Sequence, residues 1–117
     1  MKNLILNIIS TALLTFILGC GCSTKKINDS IDSGKKVVAI AESFKEKKGY
    51  YPKDLNELEN FYKSKLPKPS CGKGLWVYSL FEENNKVHFS LKVYEPNEQS
   101  VTILYVSNRE GWLVDTK

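Results

Sequence analysis

Three cysteines, at positions 20, 22 and 71, carry the most distinctive chemistry in this sequence of 117 residues. A thiol can be alkylated, can pair with a second thiol in an oxidising compartment, or can stay reduced as a small buried group. If Cys20 is modified, Cys22 and Cys71 form a candidate disulfide. An unpaired, buried Cys71 is the equal alternative, because spacing in the sequence does not fix the distance between two sulfurs.

His88 is the only histidine, and no cysteine or aspartate stands near it at the spacing of metal ligands. A catalytic triad would need His88 together with Ser79 or Ser90, yet no nucleophile-elbow sequence surrounds either serine. The adjacent acids at 82–83 precede two asparagines and are typical of a solvated turn. We therefore expect no enzymatic activity, no metal and no cofactor.

The first nineteen residues have the layout of an export signal. Met1, Lys2 and Asn3 form a short cationic start, and residues 4–18 are apolar except for four polar positions. A transmembrane helix needs about 20 apolar residues, so this run is too short and too interrupted to favour a spanning anchor. The signal reading predicts a chain that leaves the cytoplasm.

The end of this segment, Ile17-Leu18-Gly19-Cys20, resembles the bacterial lipobox, in which an aliphatic residue and a small residue precede a cysteine. The resemblance implies that the Cys20 thiol receives a diacylglyceryl group and becomes the first residue of a mature lipoprotein. Cys22 fits less well, because Gly19 would then occupy the aliphatic position. The remaining alternative is that Cys20 is an ordinary thiol. Two or three acyl chains, each contributing about 0.8 kcal/mol per buried methylene, would hold the mature chain on a membrane.

Removal of residues 1–19 would leave 98 residues (117 − 19), which suits one domain with a modest core. The net charge would fall from +4 to +3, because Lys2 leaves and 16 basic and 13 acidic residues remain. These lysines form no dense stripe, so nucleic acid is not an expected partner. The small, polar segment 20–26 is predicted to be a tether, followed by one globular domain over 27–117.

Helical spacing of apolar residues begins at Ile27 and predicts a helix that ends near Lys48, before Gly49. Gly34 weakens this helix by about 1 kcal/mol relative to alanine, so its regular part is expected to begin only after Ser33. Asp54 is then predicted to be the N-cap of a short second helix, with Glu57 in the capping-box position.

After an irregular loop over 66–74, the pattern changes to the period of two that is typical of strands. Four strands are predicted, over 76–81, 86–94, 100–106 and 112–114. The second of them alternates, with Val87, Phe89, Leu91 and Val93 on one face and His88, Ser90, Lys92 and Tyr94 on the other. An antiparallel sheet with one apolar face needs a cover, and the first helix is the available one. The predicted fold class is α+β, with two helices packed on a four-stranded meander.

The segment from Gly49 to Leu58 reads Gly-Tyr-Tyr-Pro-Lys-Asp-Leu-Asn-Glu-Leu. It resembles the G-x-Y-P-x-x-L-x-x-L segment that follows the long helix in type II secretion pseudopilins and related type IV pilin-like domains. The matching positions are Gly49, Tyr51, Pro52, Leu55 and Leu58, and Pro69, Gly72 and Tyr78 echo a later stretch of that family. The resemblance implies a pilin-like domain, in which the tyrosine and proline pack on the helix and an antiparallel sheet closes the fold.

The chain also departs from that family. It has no prepilin peptidase site, and a lipobox stands in place of the apolar helix that assembles pilins, so we do not expect it to form filaments. The run of aspartates that forms the pseudopilin calcium loop is missing as well, since only Asp115 lies near the end.

Four aromatic residues are the candidate binding residues: Trp76, Tyr78, Tyr94 and Trp112. If they share an exposed patch, they could bind a partner protein or stack on a glycan. The alternative is that Trp76 and Trp112 fill the core of a small domain.

The expected function is that of a non-enzymatic lipoprotein of the cell envelope, anchored by lipid, that binds or scaffolds another envelope component. A lipoprotein that binds a small ligand or glycan through the aromatic face is the alternative. Gly21 is not the aspartate associated with retention at the inner membrane. The expected location is therefore the periplasmic face of the outer membrane in a diderm, or the cell surface in a monoderm.

Overall fold

The computed structural model describes residues 22–95 and 101–116. The predicted signal, the segment that resembles a lipobox and Gly21, as well as the predicted loop over 96–99, lie outside the described residues. Two helices come first, and four strands follow in the order in which they pair. Their bounds are α1 Thr24–Lys48, α2 Leu55–Tyr62, β1 Trp76–Glu83, β2 Lys86–Val93, β3 Val101–Val106 and β4 Trp112–Thr116.

All three strand pairs are antiparallel, so the predicted α+β class is confirmed. Neither helix in the described ranges is long and apolar enough to cross a membrane.

Helix α1 begins at Thr24, inside the segment predicted to be a tether. The Ser23 hydroxyl caps it by accepting a hydrogen bond from the Lys26 backbone N–H at 3.2 Å. Lys25 and Asp29, one turn apart, form an exposed salt bridge of 2.9 Å that adds a few tenths of a kcal/mol. The predicted tether over 20–26 is therefore helical in its last three residues.

The predicted C-terminus of α1 and the predicted N-cap of α2 are confirmed. Gly49 follows α1 with φ of 89°, and its N–H donates to the Lys45 carbonyl. Asp54 caps α2 by accepting a hydrogen bond from the Glu57 N–H at 2.8 Å. The Glu57 carboxylate in turn accepts from the Lys53 N–H at 2.7 Å, one residue earlier than in a standard capping box.

The β1–β2 hairpin is longer than predicted. The turn contains only Asn84 and Asn85, both with positive φ, instead of the four residues 82–85. Two such residues define the type I′ turn, whose twist matches that of the flanking strands, so β1 continues to Glu83. Phe89, Leu91 and Val93 point to the helices and are buried. We call this side of the sheet the inner face.

The core lies between α1, α2 and the inner face. Val37, Ala41 and Phe44 recur along one side of α1, at the helical spacing predicted for this segment. They pack with Leu58 of α2 and with the buried residues of β2. A second cluster, of Cys71, Val93, Val101 and Ile103, continues the core toward the start of α1.

Gly34 does not delay the helix, contrary to the sequence expectation. It is buried at the point where α1 crosses the tryptophans of β1 and β4. A Cβ atom at position 34 would overlap Cη2 of Trp112 and lie only 2.7 Å from its Cζ2. The glycine allows the two indole rings to approach the helix backbone, and this packing offsets its low helix propensity.

We predict that Gly34→Ala lowers the free energy of unfolding by about 1–3 kcal/mol, because overpacking outweighs the gain of about 1 kcal/mol in helix propensity. Denaturant unfolding measures the change. Lys36→Ala, on the exposed side of α1, is the control and should change stability by less than about 0.5 kcal/mol. Trp112→Phe removes the atoms that collide, so it should relieve part of the cost in a double-mutant cycle. A stabilising Gly34→Ala would contradict this account.

Candidate functional site

The four candidate aromatic residues do not form one exposed patch. Trp76, Tyr78 and Trp112 are half-buried on the inner face, whereas Tyr94 lies beyond the end of β2 with 40% of its surface exposed. The Trp76 indole N–H donates to the Pro67 carbonyl at 2.8 Å. The Tyr78 hydroxyl donates to a second proline carbonyl, that of Pro52, at 2.6 Å. Their polar atoms are thus used within the domain.

The inner-face aromatics form a continuous series of contacts. Ring centroids are 6.2 Å apart for Trp76 and Trp112, 5.3 Å for Trp112 and Tyr105, and 5.7 Å for Tyr105 and Phe89. Tyr78 stacks on the opposite side of Phe89 at 5.5 Å. Of the two roles left open by the sequence, the geometry favours the core for these residues.

A shallow concavity of about 400 Å³ lies beside Trp112, at the turn end of the β3–β4 hairpin. Leu104, Val106, Leu113 and Arg109 contribute to its walls, and Trp76 does not. Among the described residues, this concavity could hold a glycan or a small ligand against one tryptophan, Trp112.

Tyr51, in the segment that resembles pilin-like domains, links α1 to the sheet. Its ring contacts Phe89 edge-on at 4.9 Å, and its hydroxyl donates to the Glu42 carboxylate at 2.9 Å. Removal from water, with a smaller contribution from Glu42, raises the pKa of Tyr51 to about 12. Burial likewise raises the pKa of Tyr78. Both hydroxyls therefore stay protonated as hydrogen-bond donors at neutral pH.

His88 lies on the outer face of the sheet, opposite the helices. It pairs across the strands with Phe81, with ring centroids 5.5 Å apart, while Ser79 and Ser90 face each other in the next pair. Among residues 22–95 and 101–116, no hydrogen bond joins His88 to either serine. Within the same ranges, no three His, Cys, Asp or Glu side chains are close enough to hold a metal ion.

A disulfide joins Cys22 to Cys71, which have Cα atoms 5.7 Å apart and a sequence separation of 49. Ser30, fully buried on α1, reinforces the link: its hydroxyl accepts hydrogen bonds from the Ser70 N–H at 2.8 Å and from the Cys71 N–H at 3.0 Å. The loop between α2 and β1 is thereby fixed to the beginning of α1. Sequence periodicity did not point to Ser30, whose role depends on a contact across 41 positions.

At the opposite end of α1 an open groove of about 560 Å³ separates the helix terminus from the β1–β2 hairpin. We call it the distal groove. Tyr50, Tyr51, Leu80 and Val87 supply apolar surface, and three lysines and His88 supply polar atoms; the lining residues are Lys45, Gly49, Tyr50, Tyr51, Lys53, Leu80, Lys86, Val87 and His88. Among the residues that the structure describes, no carboxylate lines it. No pattern in the sequence predicted this groove, because its residues come from three separate segments.

The described fold belongs to the class of two-layer α+β domains, with two helices on one face of an antiparallel meander. Comparison with known proteins finds no match: no family model, no curated protein and no solved structure matches the chain.

We predict that Cys71→Ser lowers the free energy of unfolding by about 2–4 kcal/mol, since the disulfide restricts a long loop in the unfolded chain. Chemical denaturation of wild type and variant, each with and without reductant, measures this difference. Reductant should destabilise the wild type and leave Cys71→Ser unchanged. Equal midpoints for the oxidised wild type and the variant would show that the link contributes nothing.

Proposed function

We propose that this chain is a bacterial lipoprotein of the cell envelope, acylated at Cys20 after removal of residues 1–19, whose domain binds another envelope component. The observation that carries the proposal is the Cys22–Cys71 disulfide. It suits an exported chain, because structural disulfides persist in oxidising compartments. It also fixes to the domain the residue that stands two positions after the proposed acylation site.

This arrangement would hold the domain close to the bilayer. Two residues of extended chain span at most about 7 Å, so Cys22 and the first turn of α1 would lie near the headgroups. Lys25, Lys26, Lys68 and Lys73 are exposed near the two cysteines in the chain. Lysines at a membrane surface contribute up to about 1 kcal/mol each with anionic lipid, which would supplement the acyl chains.

The proposed role is that of a binding or scaffolding domain. Support comes from the pilin-like segment, in which Pro52 and Leu58 are buried and Tyr51 packs between α1 and the sheet. We infer a pilin-like domain that does not form filaments, on the periplasmic face of the outer membrane in a diderm or on the surface of a monoderm. The second candidate is a glycan- or ligand-binding lipoprotein, which the concavity beside Trp112 favours.

The anchor is tested by metabolic labelling with an alkyne analogue of palmitate in a bacterial host, followed by denaturing electrophoresis. Wild type and Cys22→Ser should be labelled, and Cys20→Ser should not, because only one thiol is the acylation site. An inhibitor of the lipoprotein signal peptidase should cause a larger precursor to accumulate. Label on Cys20→Ser, or its absence from the wild type, would overturn the assignment.

The binding role is tested by photocrosslinking in intact cells. A photoreactive phenylalanine replaces one exposed tyrosine at a time, at position 50, 62 or 94. A partner that docks on one surface should give a discrete adduct from one position and none from the others. A smear from all three, or no adduct from any, would contradict a specific envelope partner.

A further inference from the structure

The inner face of the sheet extends beyond its helical cover. α1 ends at Lys48 and the chain turns away at Gly49, whereas the β1–β2 hairpin continues to its turn at 84–85. Leu80 and Val87 face the same side as the fully buried Phe89, yet 39% and 48% of their surfaces are exposed. The hairpin therefore presents apolar side chains to the distal groove.

The groove is cationic as well as apolar. Lys45, Lys53 and Lys86 line it, and within residues 22–95 and 101–116 none of the three forms a salt bridge. The Lys45 ammonium lies 4.6 Å from the centre of the Tyr51 ring, a cation–π contact that orients it without neutralising its charge.

Three carboxylates near the groove in sequence accept hydrogen bonds within the domain. Glu42 accepts the Tyr51 hydroxyl, and Glu57 accepts the Lys53 backbone N–H. Asp54 accepts the N–H that caps α2.

Glu82 lies opposite Val87 and forms no salt bridge within the described residues. Because no carboxylate of those residues lines the groove or pairs with its lysines, the lysine charges are available to an anion from another molecule.

We propose that the distal groove binds an acidic, extended segment of a partner protein, with Asp or Glu beside the lysines and an aliphatic or aromatic side chain on Leu80 and Val87. The apolar wall favours a peptide over a phosphate polymer, which has no apolar group to bury there. A volume of about 560 Å³ is sufficient for a few side chains.

The direction of binding rests on the proposed function. α1 has 25 residues, so about 37 Å of helix separates Cys22 from the groove. If the acyl anchor is at Cys20 and α1 stands upright on the bilayer, the groove opens far from the anchoring membrane, beyond the reach of its headgroups. The occupant is then a component that approaches from the side away from that membrane.

Binding is measured by fluorescence anisotropy with the full-length acylated protein in uncharged detergent. The probe is a short labelled peptide that alternates Glu with Leu and Phe. Two peptides are controls, one with Gln in place of each Glu and one with Gly in place of each Leu and Phe; soluble polyphosphate is the competing polymer. The Glu–Leu–Phe peptide should bind more tightly than either control, and added salt should weaken its binding.

Two sets of variants locate the site. Lys45→Gln, Lys53→Gln and Lys86→Gln, combined, should weaken binding about tenfold, because three partly exposed ion pairs are lost. Leu80→Thr with Val87→Thr should weaken binding of the Glu–Leu–Phe peptide while leaving the weaker Glu–Gly peptide unaffected. The matched control removes the same charge at exposed positions away from the groove, Lys35, Lys36 and Lys92, and should bind like the wild type.

Several outcomes overturn the inference: equal binding of the Glu and Gln peptides, equal losses in the two lysine triples, or polyphosphate binding that ignores Leu80 and Val87. The last outcome would assign the groove to an anionic polymer. If a protein that carries palmitate does not bind the peptide, the inference about the groove is contradicted and the proposed anchor is not. Absence of palmitate would contradict the proposed anchor. Peptide binding by the unacylated chain would still test whether the groove binds an acidic segment.

Discussion

The Trp112 ring occupies the space that a side chain at position 34 would fill, and this contact sets how closely α1 lies on the sheet. With the helix backbone against two indole rings, Val37, Ala41 and Phe44 reach the inner face and become buried. A domain of this size buries only a modest fraction of its surface, so each core contact matters for its stability. The close approach at Gly34 therefore decides whether the sheet loses its contact with water.

The two ends of α1 are fixed by different chemistry. At its beginning, the Cys22–Cys71 disulfide and the buried Ser30 hydroxyl bind the loop before β1. At its end, Gly49 reverses the chain and Tyr51 packs on Phe89. The helix acts as a strut with a covalent attachment at one end and a turn packed by aromatic side chains at the other. This polarity gives the proposed function its geometry, with an anchor at one end and a binding surface at the other.

Packing also redistributes the residues available for binding. The polar atoms of Trp76 and Tyr78 donate hydrogen bonds to proline carbonyls inside the domain, so these residues stabilise the fold and do not form a binding surface. The residues left exposed for binding are the lysines of the distal groove and the apolar residues of the β1–β2 hairpin that α1 does not cover. Such a combination discriminates better than charge alone, because ion pairs at an exposed site are weak and an apolar contact adds selectivity.

Much of the fold followed from the sequence, because the signals that predicted it are local. The change of period near residue 75 predicted helices followed by strands, Gly49 predicted the end of α1, and Asp54 predicted the start of α2. The extra residues of β1 and the early start of α1 were missed. They depend on the conformation of Asn84 and Asn85 and on a cap at Ser23, within a segment whose composition is typical of a tether.

Contacts between distant segments were decided only by the tertiary structure. Gly34 weakens an isolated helix but suits one that crosses tryptophans from β1 and β4, and no local pattern reports that crossing. The distal groove exists because α1 ends before the hairpin does, a difference in reach between elements that meet only after folding. The sequence by itself determined the elements and their order, because backbone propensity and periodicity act over a few residues. The tertiary structure decided which side chains remain at the surface, because burial depends on what each element packs against.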